Sequence, residues 1–103
     1  MKRKPKYTIE EIQEKVVPIA KQYGVERMYL FGSYARGDAK AKSDIDLRID
    51  RGKIKSYFKL LEMHYDIENL FEVKVDLLPT CGFEERFLKK IEEEEVLLYA
   101  ERA

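Results

Sequence analysis

The sequence predicts a small α/β (α+β) domain, a mixed β-sheet with its helices packed mainly on one face. Three observations carry that expectation: strand-length patterns at 27–31, 44–50 and 73–78, the first and last mainly apolar and the middle one alternating, helical apolar patterns between and after them, and a leading helix opened by a capping box. The order reads helix, strand, turn, strand, helix, strand, helix.

Thr8-Ile9-Glu10-Glu11 is the capping box, in which Thr8 and Glu11 satisfy each other's free backbone donors. Ile9, Ile12, Val16, Ile19, Ala20 and Tyr23 follow at helical spacing, and Gly24 suits the stop. Pro18 predicts a kink or a weakened third turn. Arg27 to Phe31 is a short apolar run ending at Gly32, a buried strand. Ser33 to Arg36 suggests a helical turn, and residues 37–42 a solvated loop. Residues 44–50 alternate Asp/Ile/Asp/Leu/Arg/Ile/Asp, a strand with one carboxylate-rich face, broken by Gly52.

Residues 54–71 carry a broad helical pattern, and residues 73–78 read as a third strand closed by Pro79. Residues 83–94 are expected to form a final helix with Phe83, Phe87, Leu88 and Ile91 on one side. The apolar tail 96–99 either covers the core or adds an edge strand.

At 103 residues the chain is expected to form one domain, 1–103, with residues 1–6 a loose basic terminus. The 20 basic and 20 acidic residues cancel, whereas a protein gripping duplex phosphates is usually clearly basic. Direct nucleic-acid binding is therefore not expected, while a nucleotide substrate is compatible with the composition. Cys81 is the only cysteine, which excludes an intramolecular disulfide and a cysteine metal cluster. No signal-peptide pattern or membrane span is present, so the expectation is a cytoplasmic protein with no membrane partner.

Asp44 and Asp46 stand two residues apart on an expected strand, so both side chains should leave one face. Paired carboxylates repel unless a proton or cation lies between them, and a hard ion such as Mg²⁺ takes oxygen ligands and shares them with substrate phosphates. Asp76 sits in an otherwise apolar strand, where a lone charge is costly unless paired or metal-bound. If that strand neighbours the Asp44 strand, the three carboxylates converge. Gly32 lets a phosphate approach the backbone, and the N–H groups that follow, with the Ser33 hydroxyl, suit its oxygens. A phosphate holder beside a metal clamp is what in-line attack on a nucleoside triphosphate requires.

Gly32-Ser33, ten intervening residues and Asp44-Ile45-Asp46, within Gly-Ser-Tyr-Ala-Arg-Gly … Ser-Asp-Ile-Asp-Leu at 32–47, resemble the signature of the DNA polymerase β-like nucleotidyltransferase superfamily. The string is similar to its minimal bacterial and archaeal members, and the leading helix, Asp76 and the Glu-Glu-Val-Leu-Leu-Tyr ending fit as well. The resemblance implies the polymerase β-like fold, Asp44 and Asp46 as metal ligands, and Asp76 as a third ligand or the base for the attacking hydroxyl. It implies Gly32 and Ser33 as triphosphate contacts, with Arg36 a phosphate or structural partner and Ser43 at the nucleotide site. It further implies the antitoxin of a two-gene module, with Mg²⁺ as cofactor. Such an antitoxin would transfer AMP from ATP to a tyrosine of a helical HEPN ribonuclease toxin. Arg48 departs from the expected pattern: two residues beyond Asp46 on the same face, it could pair with Asp46 or Asp50 or bind phosphate.

Other residues have plainer readings. Ser43 reads as a turn residue bonding backbone rather than a nucleophile. His64 reads as a half-exposed structural histidine, Cys81 as a bystander, and Glu92–Glu95 as a solvated helix end. The aromatics of 57–71 read as core, with any surplus forming a partner face. Two rival functions remain at this stage: a non-catalytic module that neutralises its partner by contact, and small-molecule nucleotidylation, for which the chain lacks the helices of an acceptor pocket.

Overall fold

The computed structural model describes residues 4–101. The elements are α1 (Ile9–Tyr23), β1 (Arg27–Phe31), α2 (Ser33–Arg36), β2 (Ile45–Asp50), α3 (Tyr57–Glu68), β3 (Val75–Pro79), a 3₁₀ turn (Thr80–Gly82), α4 (Glu85–Glu92) and β4 (Val96–Ala100). The four strands form one mixed sheet in the order β3-β2-β1-β4. β1 is antiparallel to both β2 and β4, while β2 and β3 run parallel across the α3 crossover.

Thr8 and Glu11 form the expected capping box, and Gly24 closes α1 in the left-handed conformation at φ 72°. Pro18 does not end the helix: it stands on the exposed side, where its missing donor disturbs no packed contact. α3 is shorter than its apolar pattern, because Ser56 caps it and residues 51–54 form a turn closed by Ile54 N–H on the Arg51 carbonyl. α4 is likewise shorter, with Phe83 in the preceding loop. The tail forms edge strand β4, with a bulge opposite Met28 and Tyr29. There Leu98 is buried, and its carbonyl accepts a hydrogen bond from Gln13 Nε2 at 2.8 Å.

Register divides the sheet into two unlike faces. Met28, Leu30, Ile45, Leu47, Ile49, Val75 and Leu77 point into a core closed by Ile12, Val16 and Ala20 of α1 and Leu60, Met63 and Ile67 of α3. The opposite face carries rows that follow from the pairing: Phe31–Asp46–Asp76, then Tyr29–Arg48–Leu78, then Arg27–Asp50. Asp46 and Asp76, two of the residues singled out from the sequence, lie on this second face. Of the basic N-terminal stretch, residues 1–3 fall outside the described residues, and Lys6 reaches Glu72 at 3.4 Å. Among the described residues no helix is long and apolar enough to cross a membrane.

Candidate active site

The link from β1 to β2 builds one wall of the site. Gly32 follows the last residue of β1 and adopts φ 78°, ψ −156°, a conformation that side chains rarely tolerate. A Cβ there would also collide with the Asp46 carboxylate, so glycine is required twice over. Ser33 to Arg36 form one helical turn, and Ser43 closes the loop that follows. Its Oγ accepts from Lys40 N–H at 2.7 Å, while its own N–H donates to the Lys40 carbonyl at 3.1 Å.

Asp44 lies just before β2 rather than in it, because the ladder to β3 starts at Ile45, whose N–H donates to the Lys74 carbonyl at 2.9 Å. It nevertheless lines the same cleft as Asp46. That cleft, about 590 Å³, is bounded by Gly32, Ser33, Arg36, Ser43, Asp44 and Asp46 on one side and by α4 and Glu94 on the other. Six of the seven residues singled out from the sequence therefore meet in one cavity.

Asp76 is placed differently. It is the register partner of Asp46 on β3, stands 3.6 Å from Lys74 Nζ, and is not among the residues that line the cleft. Burial, a hydrogen bond with Asp76 and the charges of Asp76 and Asp44 push the Asp46 carboxyl up to about 6, with Arg36 pulling the other way. The strain of ionising Asp46 is what a bound cation would relieve, so the oxygen donors suit a hard divalent ion. Among the described residues no three acidic, histidine or cysteine side chains are drawn into one metal cage, so Asp44, Asp46 and Asp76 are neighbours but not a closed cluster.

Arg48 does not neutralise Asp46. Its Nη2 donates to both Glu95 oxygens at 2.6 and 2.7 Å, and its Nη1 donates to Thr80 Oγ1 at 2.8 Å. Its guanidinium carbon sits 4.1 Å from the centre of the Tyr29 ring, and Asp50 is 3.8 Å from Nη1. Glu94 and Glu95 correct the expectation of a solvated glutamate run. Glu94 Oε2 accepts from Gly32 N–H at 2.9 Å and from Arg36 Nη1 at 3.1 Å. Arg36 also donates to Asp38 at 3.2 Å. Both glutamates lie in the turn that follows α4, where their N–H groups donate to the Ile91 carbonyl at 3.0 and 2.9 Å, so helical periodicity does not single them out.

Phe87, Lys90 and Ile91 of α4 complete the cleft wall and were missed as site residues. Phe83 ties this helix to the sheet, its ring edge-on to Phe31 at 5.6 Å and 5.7 Å from Phe87. His64 bonds the Val75 carbonyl through Nε2 at 2.6 Å, a structural role, and Cys81 is exposed.

Comparison with known proteins points the same way. The family model described as polymerase beta nucleotidyltransferase matches residues 14–103. The Thermococcus cleftensis protein adenylyltransferase MntA is 33% identical over 88 residues, covering 82% of this chain and 89% of that protein. A crystal structure of a toxin–antitoxin pair with AMP-PNP superposes with a TM-score of 0.74 at 18% identity, over 87% of this chain and 74% of that one. A Shewanella oneidensis tri-AMPylated HEPN toxin in complex with its MNT antitoxin gives 0.69 at 16% identity, over 89% and 72%. The last two likenesses are of fold.

Proposed function

The chain belongs to the polymerase β nucleotidyltransferase family, and on that premise we propose that it transfers AMP from ATP to a tyrosine hydroxyl of a HEPN toxin, as the antitoxin of that pair. The observation that carries this reading is the one cleft that the Gly32–Ser33 turn lines together with Asp44 and Asp46. The relative named protein adenylyltransferase MntA and the AMPylated toxin bound to its MNT antitoxin support the choice of donor and acceptor.

Gly32 N–H, the Ser33 hydroxyl and Arg36 bind the triphosphate and present its α-phosphorus. Asp44 and Asp46 hold Mg²⁺, with Asp76 as a third ligand or as the base. When bound, the ion supplies charge neutralisation at the reacting phosphate. The tyrosine oxygen forms a new bond to the α-phosphorus as the bond to the β-phosphate bridging oxygen breaks in line. Its proton passes to a carboxylate of this group, and pyrophosphate leaves. The rim of α4, with Phe87 at the cleft mouth, leaves room for an acceptor carried on another polypeptide.

The test is incubation of the chain with α-labelled ATP, Mg²⁺ and a candidate HEPN partner. Label on the partner that disappears with Asp44→Asn supports the transferase. Inhibition of the partner that is stoichiometric and survives Asp44→Asn, with no label transferred, would replace it with a contact-only antitoxin.

A further inference from the structure

One oxygen of Glu94 takes the donors that the proposed function gives to the nucleotide. Glu94 Oε2 accepts from the Gly32 N–H at 2.9 Å and from Arg36 Nη1 at 3.1 Å, in the cleft that Asp44 and Asp46 also line. We propose that Glu94 is a resident anion of the nucleotide site: it holds the Gly32 turn and Arg36 in place until a triphosphate oxygen displaces it. The inference rests on the nucleotide-binding reading above and adds a residue that sets nucleotide affinity.

The geometry supports this in three ways. A carboxylate oxygen and a phosphate oxygen ask for the same charge-assisted donors, so one can substitute for the other without rearranging Gly32 or Arg36. Glu94 also adds a further negative charge to a cleft already holding Asp44 and Asp46, which opposes entry of a polyphosphate for as long as it stays. Finally, the next residue is anchored: Glu95 is bound to the buried Arg48 at 2.6 Å. With the main chain pinned there, displacement needs only rotation of the Glu94 side chain, which is 26% exposed and has solvent to turn into.

Removing the charge while keeping the acceptor separates this role from a structural clamp. Glu94→Gln still accepts from Gly32 N–H, so the turn stays supported, but it no longer repels phosphate. In calorimetric titrations with AMP-PNP and Mg²⁺, E94Q is expected to bind roughly three- to tenfold more tightly than the wild type. Glu93→Gln removes the same charge from an exposed neighbour outside the cleft and is expected to bind as the wild type does. An independent reading comes from the wild-type chain labelled with ¹⁵N-glycine, whose 5 glycines make the Gly32 amide traceable. That resonance is expected to move in E94Q and, in the wild type, to move on addition of AMP-PNP.

Equal or weaker binding by E94Q, with the wild type binding normally, overturns the inference alone and makes Glu94 a clamp. An unmoved Gly32 amide in wild-type protein saturated with AMP-PNP also overturns it, whether or not the variant folds. Failure of every form to bind AMP-PNP, wild type included, overturns the nucleotide reading together with it.

Discussion

Arg48 and Glu95 form a buried ion pair on the functional face of the sheet, with Nη2 2.6 and 2.7 Å from the two carboxylate oxygens. Only 4% of the Arg48 side chain and 12% of Glu95 reach solvent. Thr80 extends the network: its hydroxyl accepts from Arg48 and stands 2.6 Å from Asp50 Oδ1, to which it donates. Arg48 Nε is buried without a partner, so the hydrogen bonds of the guanidinium run through its two Nη atoms, to Thr80 and Glu95. The pair fastens the α4–β4 junction to the central strand, and with it the wall of the cleft.

Removing either partner strands a buried charge. Glu95→Ala is expected to cost about 3 kcal/mol or more in urea denaturation and to lower the melting temperature by on the order of 10 °C. The double variant Arg48→Met/Glu95→Leu is expected to recover most of that loss, because no charge then remains to be desolvated. If the two single losses simply added in the double variant, the ion pair would not be the coupling element.

The contrast between this network and the rest of the fold shows what local sequence can specify. β1 was legible from Arg27 to Phe31 because an apolar run and a terminating glycine mark both ends within a few residues. α1 was legible for the same reason, having a capping box at one end and Gly24 at the other. Asp44 was assigned one residue too far into β2, because the start of that strand depends on a hydrogen bond to Lys74 rather than on alternation. Glu94 and Glu95 took their meaning from Gly32 and Arg48, residues distant in the chain, and a run of four glutamates conceals which two face inward. Six of the seven site residues came from a motif in which chemistry constrains spacing, and Asp76 from a lone charge in an apolar strand; the α4 wall came only from packing.

Gly32 links backbone conformation to the placement of Asp46. Its φ of 78° and its closeness to the Asp46 carboxylate leave no room for a methyl group. Gly32→Ala is expected to destabilise the fold by about 1–3 kcal/mol. Displacing Asp46 from the substrate is expected to lower AMP transfer by at least about 100-fold. Thermal unfolding and single-turnover label transfer measure the two effects separately. A folded G32A variant with full activity would remove Gly32 from the site's design.

Asp50 contributes to the acid limb of stability. Burial pushes its carboxyl up, but hydrogen bonds from Thr80 and Arg27 and the charges of Arg27 and Arg48 outweigh that and hold it below its ordinary value of 3.8. A carboxylate whose folded pKa is depressed contributes stability that is present above the unfolded value and is lost as pH falls through the folded one. The wild type is therefore expected to lose stability below pH 3.8 more steeply than Asp50→Asn. The variant should start from a lower value at pH 7, since the 2.8 Å contact with Arg27 is then no longer between opposite charges. Denaturant titrations across that range compare the slopes; parallel curves would show that Asp50 is not the group responsible.

Asp46 acts in the opposite direction, and the sign shows what crowding carboxylates in the candidate site costs the fold. Its folded pKa stands at about 6, above the ordinary 3.8, because burial and the hydrogen bond and charge of Asp76 disfavour the ionised form. The folded state therefore holds a proton that the unfolded chain releases. The associated stability is present in full below 3.8 and is lost as pH rises through about 6. With metal chelated, the melting temperature is expected to fall across that interval, and Asp46→Asn to flatten the fall. At pH 7.5 the variant should be the more stable by on the order of 1 kcal/mol, discounted for the partial solvent access of the site. Mg²⁺ is expected to stabilise the wild type at pH 7.5 more than at pH 5, since it competes with the proton for the same oxygens, and to leave D46N nearly unchanged. The same substitution should abolish label transfer, making D46N a better-folded protein without its activity. Equal Mg²⁺ stabilisation of wild type and D46N would place the cation elsewhere and separate the strain at Asp46 from metal binding.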